Sequence, residues 1–536
     1  MSDIQEKIIA DIINSAGLFA DSEVKAARKP RLLIDNANPD LNVFALVKLF
    51  SECGELFDRG VPVRLAEDVV SGGMAAHPLT SDSLVMFAHT LCRPYIVRVG
   101  KDGSAEAKDA RLPRQIASMY NDWIGGWQLP PLRGIAATPL LASDGSICSV
   151  SGYHAGTGIW LDNPPDLTGL VPRHPTLQEA LHSLQQIREF FSTFCFADAI
   201  LRQVDDHPGL VVDTATPPRA DESAFLAALR TAVCRPSIDL APGVLIKAAA
   251  MSGAGTGKGL LARAIGYIAF GREPFAITTG GSQKELEKRI VAELLTGNSM
   301  LYIDNVNNTA LKSDLLASVL TERPTRTRIL QKSEVRSLST NTLVVLTGNG
   351  LSMAEDLARR FVTTELDSKS ENPEARVFLK DFRVELRSRR LELLGHLLTI
   401  WRWGRLHPSL PAGRPLGSFE QWGDWVRDPL LALGCLDPAE RVAEAKSRDP
   451  GRQHTADIFA AWRRCHAAQP VSAHDLHDDV KLVIDPQKRG RQYLAAHLEK
   501  LVGTRMHGHV LTRQASVEKW GHATFAVIDA VDGLGT

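Results

Sequence analysis

The stretch Ala248–Phe270, AAAMSGAGTGKGLLARAIGYIAF, carries the residue types that a phosphate-binding loop requires. Backbone N–H groups can converge on phosphate oxygens only where side chains do not obstruct them. Gly253, Gly255 and Gly257, with Ala254 and Thr256 between them, give that clearance. Lys258 follows as a point charge for the β- and γ-phosphates, and the helix it opens turns its positive end toward the same anion. Two positions depart from the pattern. Ser252 stands where the first glycine belongs, and Gly259 stands where a Ser or Thr hydroxyl would bind Mg²⁺. If an acid elsewhere alone anchors the metal and water fills that vacancy, Gly259→Thr is expected to be tolerated.

A bound metal also needs an acid at the end of a buried strand, and NSMLYIDNVNN supplies Asp304 after the apolar run Met300–Ile303. Asn305 comes next. An amide is a poor general base, so Asn305 is expected to orient the attacking water while another carboxylate deprotonates it. Glu322 in LTERPTRTR is assigned that task, the alternative being a solvated helix-end glutamate. A third apolar run, NTLVVLTGNG, ends on Asn349, suited to sensing a γ-phosphate. EDLARRFVTTELD then offers Arg359 and Arg360, either of which suits an arginine finger that neutralises charge on a transferred phosphoryl group.

Elements of the right kind surround these residues. GVLIKAAAM reads as a buried strand entering the loop, and Leu261, Ile265 and Ile268 recur at helical spacing after it. GGSQKELEKRIVAELL predicts a helix with Ser282 and Glu285 as a capping box and Leu286, Ile290 and Leu294 as its buried stripe.

In series, GAGTGKGLLARAI, LYIDNV and LVVLTGNGLSMAEDLARRFVTTELD resemble the ATPase domain of AAA+ / superfamily 3-type helicases, found in primase-helicase proteins of phages, plasmids and integrative elements. The resemblance is specific over Pro236 to Leu366. It implies ATP and Mg²⁺ as cofactors: Gly253, Ala254, Gly255, Thr256, Gly257, Lys258 and Gly259 around the triphosphate, Asp304 on the metal, Asn349 at the γ-phosphate, and Arg360 or Arg359 reaching a neighbouring subunit. Several mobile-element members share the Asp-Asn pair. The resemblance also implies a homo-oligomeric ring, a hexamer, with single-stranded DNA in a central channel and a primase or other replication protein as partner. TRTRILQKSEVRSLSTNT reads as two strand-like halves, Arg326–Leu330 and Val335–Leu338, around a polar tip. By the same resemblance Lys332 at that tip would meet DNA in the channel, a plain surface hairpin being the alternative.

With 536 residues and 44% hydrophobic content, the chain can fill several cores. A net charge of −1 means that DNA contacts must come from local patches. No apolar run is long enough to cross a membrane, and the acidic, amphipathic MSDIQEKIIADIINSAG is unlike a signal peptide, so a cytoplasmic protein without membrane contact is expected. The seven cysteines contain no Cys-x-x-Cys pair, which argues against a zinc ribbon.

The expected fold class is α/β: a P-loop AAA+-like ATPase core, an α+β N-terminal region and a C-terminal winged-helix-like domain. Residues 1–128 form the α+β region, in which IDNANPD reads as a turn. Residues 129–172 form a β-rich connector with SDGS as a hairpin turn; Trp123 and Trp127 just before it and Trp160 within it are either base-stacking or buried. Residues 173–405 are the ATPase with its leading helices, and 406–452 a linker. In residues 453–536, three helices (TADIFAAWRRCHA; SAHDLHDDVKLV, capped by Ser472; RGRQYLAAHLEKLVGTR) precede two strands, the winged-helix order. Lys488, Arg489, Arg491 and Lys500 on the third helix would lie near duplex phosphates, although such small domains also dock proteins. The function expected is an ATP-dependent DNA helicase or translocase replicating a mobile genetic element. The alternative is a nucleotide-gated DNA-binding initiator or scaffold with slow or no turnover.

Overall fold

A parallel five-stranded sheet organises the middle of the chain. The computed structural model describes residues 29–68, 72–99, 104–204, 209–249, 254–279, 281–307, 310–328, 335–338, 341–353, 355–376, 378, 380–440, 450–514 and 523–529. The strands are β1 (Gly243–Ala248), β2 (Ala276–Ile277), β3 (Met300–Ile303), β4 (Leu343–Asn349) and β5 (Phe361–Leu366), in spatial order β2-β3-β4-β1-β5. Every pairing is parallel. β1, the strand that enters the glycine loop, therefore sits between β4 and β5.

This order fixes where the helices go. Parallel crossovers are right-handed, so the single step from β1 out to the β2 edge and the steps that return across the sheet place their helices on opposite faces. α3 (Lys258–Phe270), which follows β1, packs on one face with α1 (Leu177–Phe190), α2 (Ala220–Cys234) and α6 (Phe382–Leu406). α4 (Gln283–Thr296) and α5 (Asp314–Thr321) pack on the other. The strands divide their side chains accordingly. Val244, Ile246, Tyr302 and Val345 belong to the first core, and Leu245, Leu301, Ile303, Val344 and Leu346 to the second, the period-two alternation of a strand buried on both faces.

The helical stripes read from sequence are where burial requires them. Leu261, Ile265 and Ile268 are buried on α3, and Leu286, Ile290 and Leu294 on α4. Ser282 caps α4 by accepting from the Glu285 N–H at 3.2 Å. The Glu285 carboxylate faces Lys288 and Arg289.

The N-terminal region contains two three-stranded sheets and the helices Pro39–Glu52, Ser81–Leu91 and Arg114–Asp122. It is tied to the sheet domain by Arg59, whose buried guanidinium donates to Leu132 O at 3.0 Å, to Leu295 O at 3.1 Å and to Leu294 O, covering carbonyls that the end of α4 leaves open. Asp35 in IDNANPD accepts from the N–H groups of Ala37 and Asn38, a turn. Leu140–Leu141 and Ile147–Cys148 pair antiparallel around SDGS.

Within 406–452, the segment from Phe419 to Cys435 is packed into the first core. Trp422 and Val426 are fully enclosed there, and Arg230 of α2 donates to the carbonyls of Trp425 and Val426 at 2.7 and 3.1 Å. The C-terminal unit has its own core under α7 (Pro450–His466), α8 (Asp478–Ile484) and α9 (Arg491–Leu501). A four-stranded antiparallel sheet accompanies them, in which Val471–Ser472 pairs with Thr524–Asp529 beside His509–Gln514. Ser472 does not cap α8. It bonds Asp475 in a turn, and His477 caps the shorter helix instead. Among the described residues no helix is long and apolar enough to cross a membrane.

Candidate functional site

The loop after β1 resumes description at Ala254 and runs into α3; Ser252 and Gly253 lie outside the described residues. Gly257 has φ +98°, a left-handed conformation, and a Cβ there would meet the Phe194 ring at 3.1 Å. Gly255, at φ +72°, has the backbone of Glu374 against it, 2.7 Å from where its Cβ would stand. The loop is thus enclosed by two segments distant in sequence. Arg376 pins them together, donating to Thr193 O at 2.6 Å and to Cys195 Sγ at 3.3 Å.

Beside the loop these segments form a cavity of about 460 Å³ lined by Phe194, Leu201, Leu210, Asp367, Arg376 and Phe378, among others. Neither the loop residues nor Asp304 line it.

Lys258 opens α3 half-buried, its Nζ 3.2 Å from the Thr256 hydroxyl. Burial holds its amine below the ordinary lysine value, and the nearby Asp304 carboxylate opposes that shift. The structure therefore brings together the lysine of the first motif and the acid of the second.

Asp304 follows the last residue of β3. Its N–H donates to Ile277 O at 2.9 Å, and its carboxylate accepts from the Thr347 hydroxyl on the adjacent β4. Thr347 also accepts from the Asn305 N–H at 3.2 Å. Tyr302, two residues before Asp304 and on the same face of β3, is 1% exposed. Its hydroxyl lies by Thr347 and Asp304 without a hydrogen bond in acceptable geometry, and burial, then the Asp304 charge, push it up to about 12, so it is a neutral phenol.

Asn305 adopts a left-handed φ of +64°. Its side-chain oxygen accepts from Asn307, whose own oxygen accepts from the Asn349 N–H at 2.8 Å. A string of amides thus joins the second motif to the third. Ala248 and Asn349 are direct partners in the sheet, so Asn349 borders the loop, and its side-chain oxygen is enclosed without a partner. The donors gathered at these strand ends are all oxygen: a carboxylate, two hydroxyls and an amide carbonyl. That set suits Mg²⁺, with Asp304 as the charged ligand.

The arginines separate. Arg360 is 16% exposed and committed within its own chain, to the Ala317 carbonyl at 2.8 Å, the Thr321 hydroxyl, the Asp356 carbonyl at 3.1 Å and both Asp356 carboxylate oxygens. Arg359 is 57% exposed and paired only with Asp356 among the described contacts. Glu322 is exposed just beyond α5, where it accepts from Ser318 one turn earlier at 2.5 Å. Thr325–Arg328 and Val335–Leu338 do pair as an antiparallel hairpin. Lys332 lies outside the described residues.

In the C-terminal unit Lys488 and Arg491 are exposed around the start of α9. Arg489 is engaged, 3.1 Å from the buried Asp485 carboxylate and stacked at 3.4 Å on the Tyr493 ring. Lys500 is at the other end of α9, roughly 13 Å along the axis at 1.5 Å per residue. Trp127 is buried and donates to Tyr120 O at 2.6 Å; Trp123 packs edge-on against Phe44 and Trp160 against Phe57. Trp127 is a core member, while Trp123 and Trp160 are partly buried against the cores of this region.

Sequence reasoning missed Tyr302, Thr347, Asn307 and the cavity. Tyr302 and Thr347 carried a signal, each being a hydroxyl inside an apolar strand, two residues before Asp304 and Asn349 respectively.

No protein-family model matches the chain, and no curated protein matches it. Among solved structures, it is similar to the A form of the apo NrS-1 C-terminal region, at 10% identity over 87% of this chain and 96% of that one, with a TM-score of 0.35. It is also similar to the active helicase Cch of SCCmec type IV, at 11% identity over 89% and 98% of the two chains, with a TM-score of 0.31. Scores this low do not establish a shared fold. Fold and site together define a mixed α/β protein with a central parallel sheet.

Proposed function

We propose that the chain is an ATP-dependent DNA helicase or translocase, with an AAA+ / superfamily 3-type ATPase domain that works as a homo-oligomeric ring in replication of a mobile element. The observation that carries this reading is that the glycine loop and Lys258 open a helix at the carboxyl end of a parallel sheet, with Lys258 within electrostatic reach of Asp304 at the end of a neighbouring strand. Backbone N–H groups of the loop and Lys258 bind the triphosphate. The residues that hold Mg²⁺ are Asp304 and its hydroxyl neighbours; the metal, when bound, neutralises charge on the phosphates. Asn349 faces the γ-phosphate, and Arg359, the more exposed of the two arginines that share Asp356, reaches the adjacent subunit. The hairpin before β4 contacts a single strand, and the start of α9 in a winged-helix-like unit contacts duplex phosphates.

A second reading, a nucleotide-gated DNA-binding initiator or scaffold, is favoured by one feature: the residue after Asp304 is an amide already engaged by Asn307. Strand displacement on a forked duplex separates the two. ATP-dependent unwinding that Lys258→Ala abolishes supports the motor. Nucleotide-dependent DNA binding without displacement supports the switch.

A further inference from the structure

Gly259 is unusual because its backbone does not need to be glycine. It lies in the first turn of α3 with no left-handed φ, and glycine is among the weakest helix formers. Space explains it. A Cβ at 259 would stand 3.3 Å from the Tyr302 hydroxyl and 3.2 Å from Arg263 Nη1, closer than carbon and such groups ordinarily pack. A Ser or Thr side chain would therefore enter a tight space bordered in part by an oxygen, and its neighbours would have to give by a few tenths of an ångström.

We propose that the Tyr302 hydroxyl replaces the hydroxyl that position 259 lacks, serving as an oxygen group on the Mg²⁺ side of the bound nucleotide; the inference rests on the nucleotide reading above. Three further observations support it. The hydroxyl is enclosed and makes no hydrogen bond of acceptable geometry, although Thr347 and Asp304 lie beside it, which leaves it capacity for a further polar partner. It is on the same face of β3 as Asp304 and beside Thr347, so a metal held by Asp304 is within its neighbourhood. The ring is fixed in advance, buried in the first core with the Arg263 guanidinium 5.5 Å above its face. Gly259 and Tyr302 are then one device: the small residue clears the path of the large one.

The test compares wild type, Tyr302→Phe, Gly259→Ser and the double variant for binding of a non-hydrolysable ATP analogue, in EDTA and across a Mg²⁺ titration. Tyr302→Phe removes one oxygen from a buried ring and should leave the melting temperature of the apoprotein unchanged or raised. The expected result is that Tyr302→Phe keeps the metal-free affinity and loses roughly tenfold of the gain that Mg²⁺ gives, and that adding Gly259→Ser to it recovers most of that gain. A Mg²⁺ gain unchanged by Tyr302→Phe overturns the proposal. So does a loss of equal size with and without metal, which marks a packing role. Failure of the nucleotide reading looks different: wild type then binds no analogue in either condition.

Discussion

The Thr347 hydroxyl donates to the Asp304 carboxylate across the ends of β4 and β3, so the residue proposed to hold the metal is held by the strand that ends on Asn349, the proposed γ-phosphate sensor. A hydrogen bond to a charged group contributes about 1.5–3 kcal/mol. Thr347→Val keeps the shape and the strand preference but leaves Asp304 free to turn. Mg²⁺–ATP affinity should fall by about tenfold or more, with metal-free affinity nearly unchanged, as read by calorimetry.

Lys258 gives a pH signature. Its amine ionises below the ordinary lysine value because it is buried, and bound phosphates favour the charged form. The bound state thus holds the proton to higher pH than the free one. ATP affinity should decline as pH rises through the free-protein value, and binding there should take up a proton. Calorimetry in two alkaline buffers of different ionisation enthalpy measures that uptake; proton release would have the wrong sign for this lysine.

The arginine pair should split by phenotype. Arg360→Ala removes a largely enclosed guanidinium that joins Asp356 to the end of α5, and should lower stability by roughly 2–3 kcal/mol. Arg359→Ala should leave the melting curve and ATP binding intact while reducing hydrolysis on the order of 10³-fold, the scale of an arginine finger. Mixing Arg359→Ala with Lys258→Ala subunits should restore part of the turnover, through interfaces that pair an intact loop with an intact finger. Full hydrolysis by Arg359→Ala would remove the finger from the account.

At the C-terminal unit, Lys488→Ala and Arg491→Ala should each weaken duplex binding across unrelated sequences and reduce the slope of log K against log salt by about one. Arg489→Ala should act differently, through lost stability, because Asp485 and Tyr493 already engage its head. Melting curves and salt titrations of the same three proteins distinguish these outcomes.

Much of the core was legible because the pattern that marks it is local. Apolar runs ending in Asp304 and Asn349 are buried parallel strands, and the stripes Leu261-Ile265-Ile268 and Leu286-Ile290-Leu294 are core faces. What lay beyond reach depends on contacts across the sequence. The loop is closed by Phe194 and Glu374, and nothing near Gly257 announces either. In the sequence Arg359 and Arg360 read alike as finger candidates, and only the packing of α5 beside Arg360 distinguishes them. Gly259 reads as a missing ligand because the oxygen proposed to compensate for it belongs to β3, more than forty residues away. Phe419–Cys435 shows the same limit, since a run broken by Pro and Gly before it hid tryptophans that complete the main core.

The central claim is that Lys258 and Asp304 form one ATP-hydrolysing site coupled to DNA. Phosphate release by the purified full chain, with and without single-stranded DNA, alongside Lys258→Ala, tests it most directly. The account predicts Mg²⁺-dependent release that DNA stimulates and that Lys258→Ala abolishes. Release that ignores DNA and persists in Lys258→Ala would contradict it.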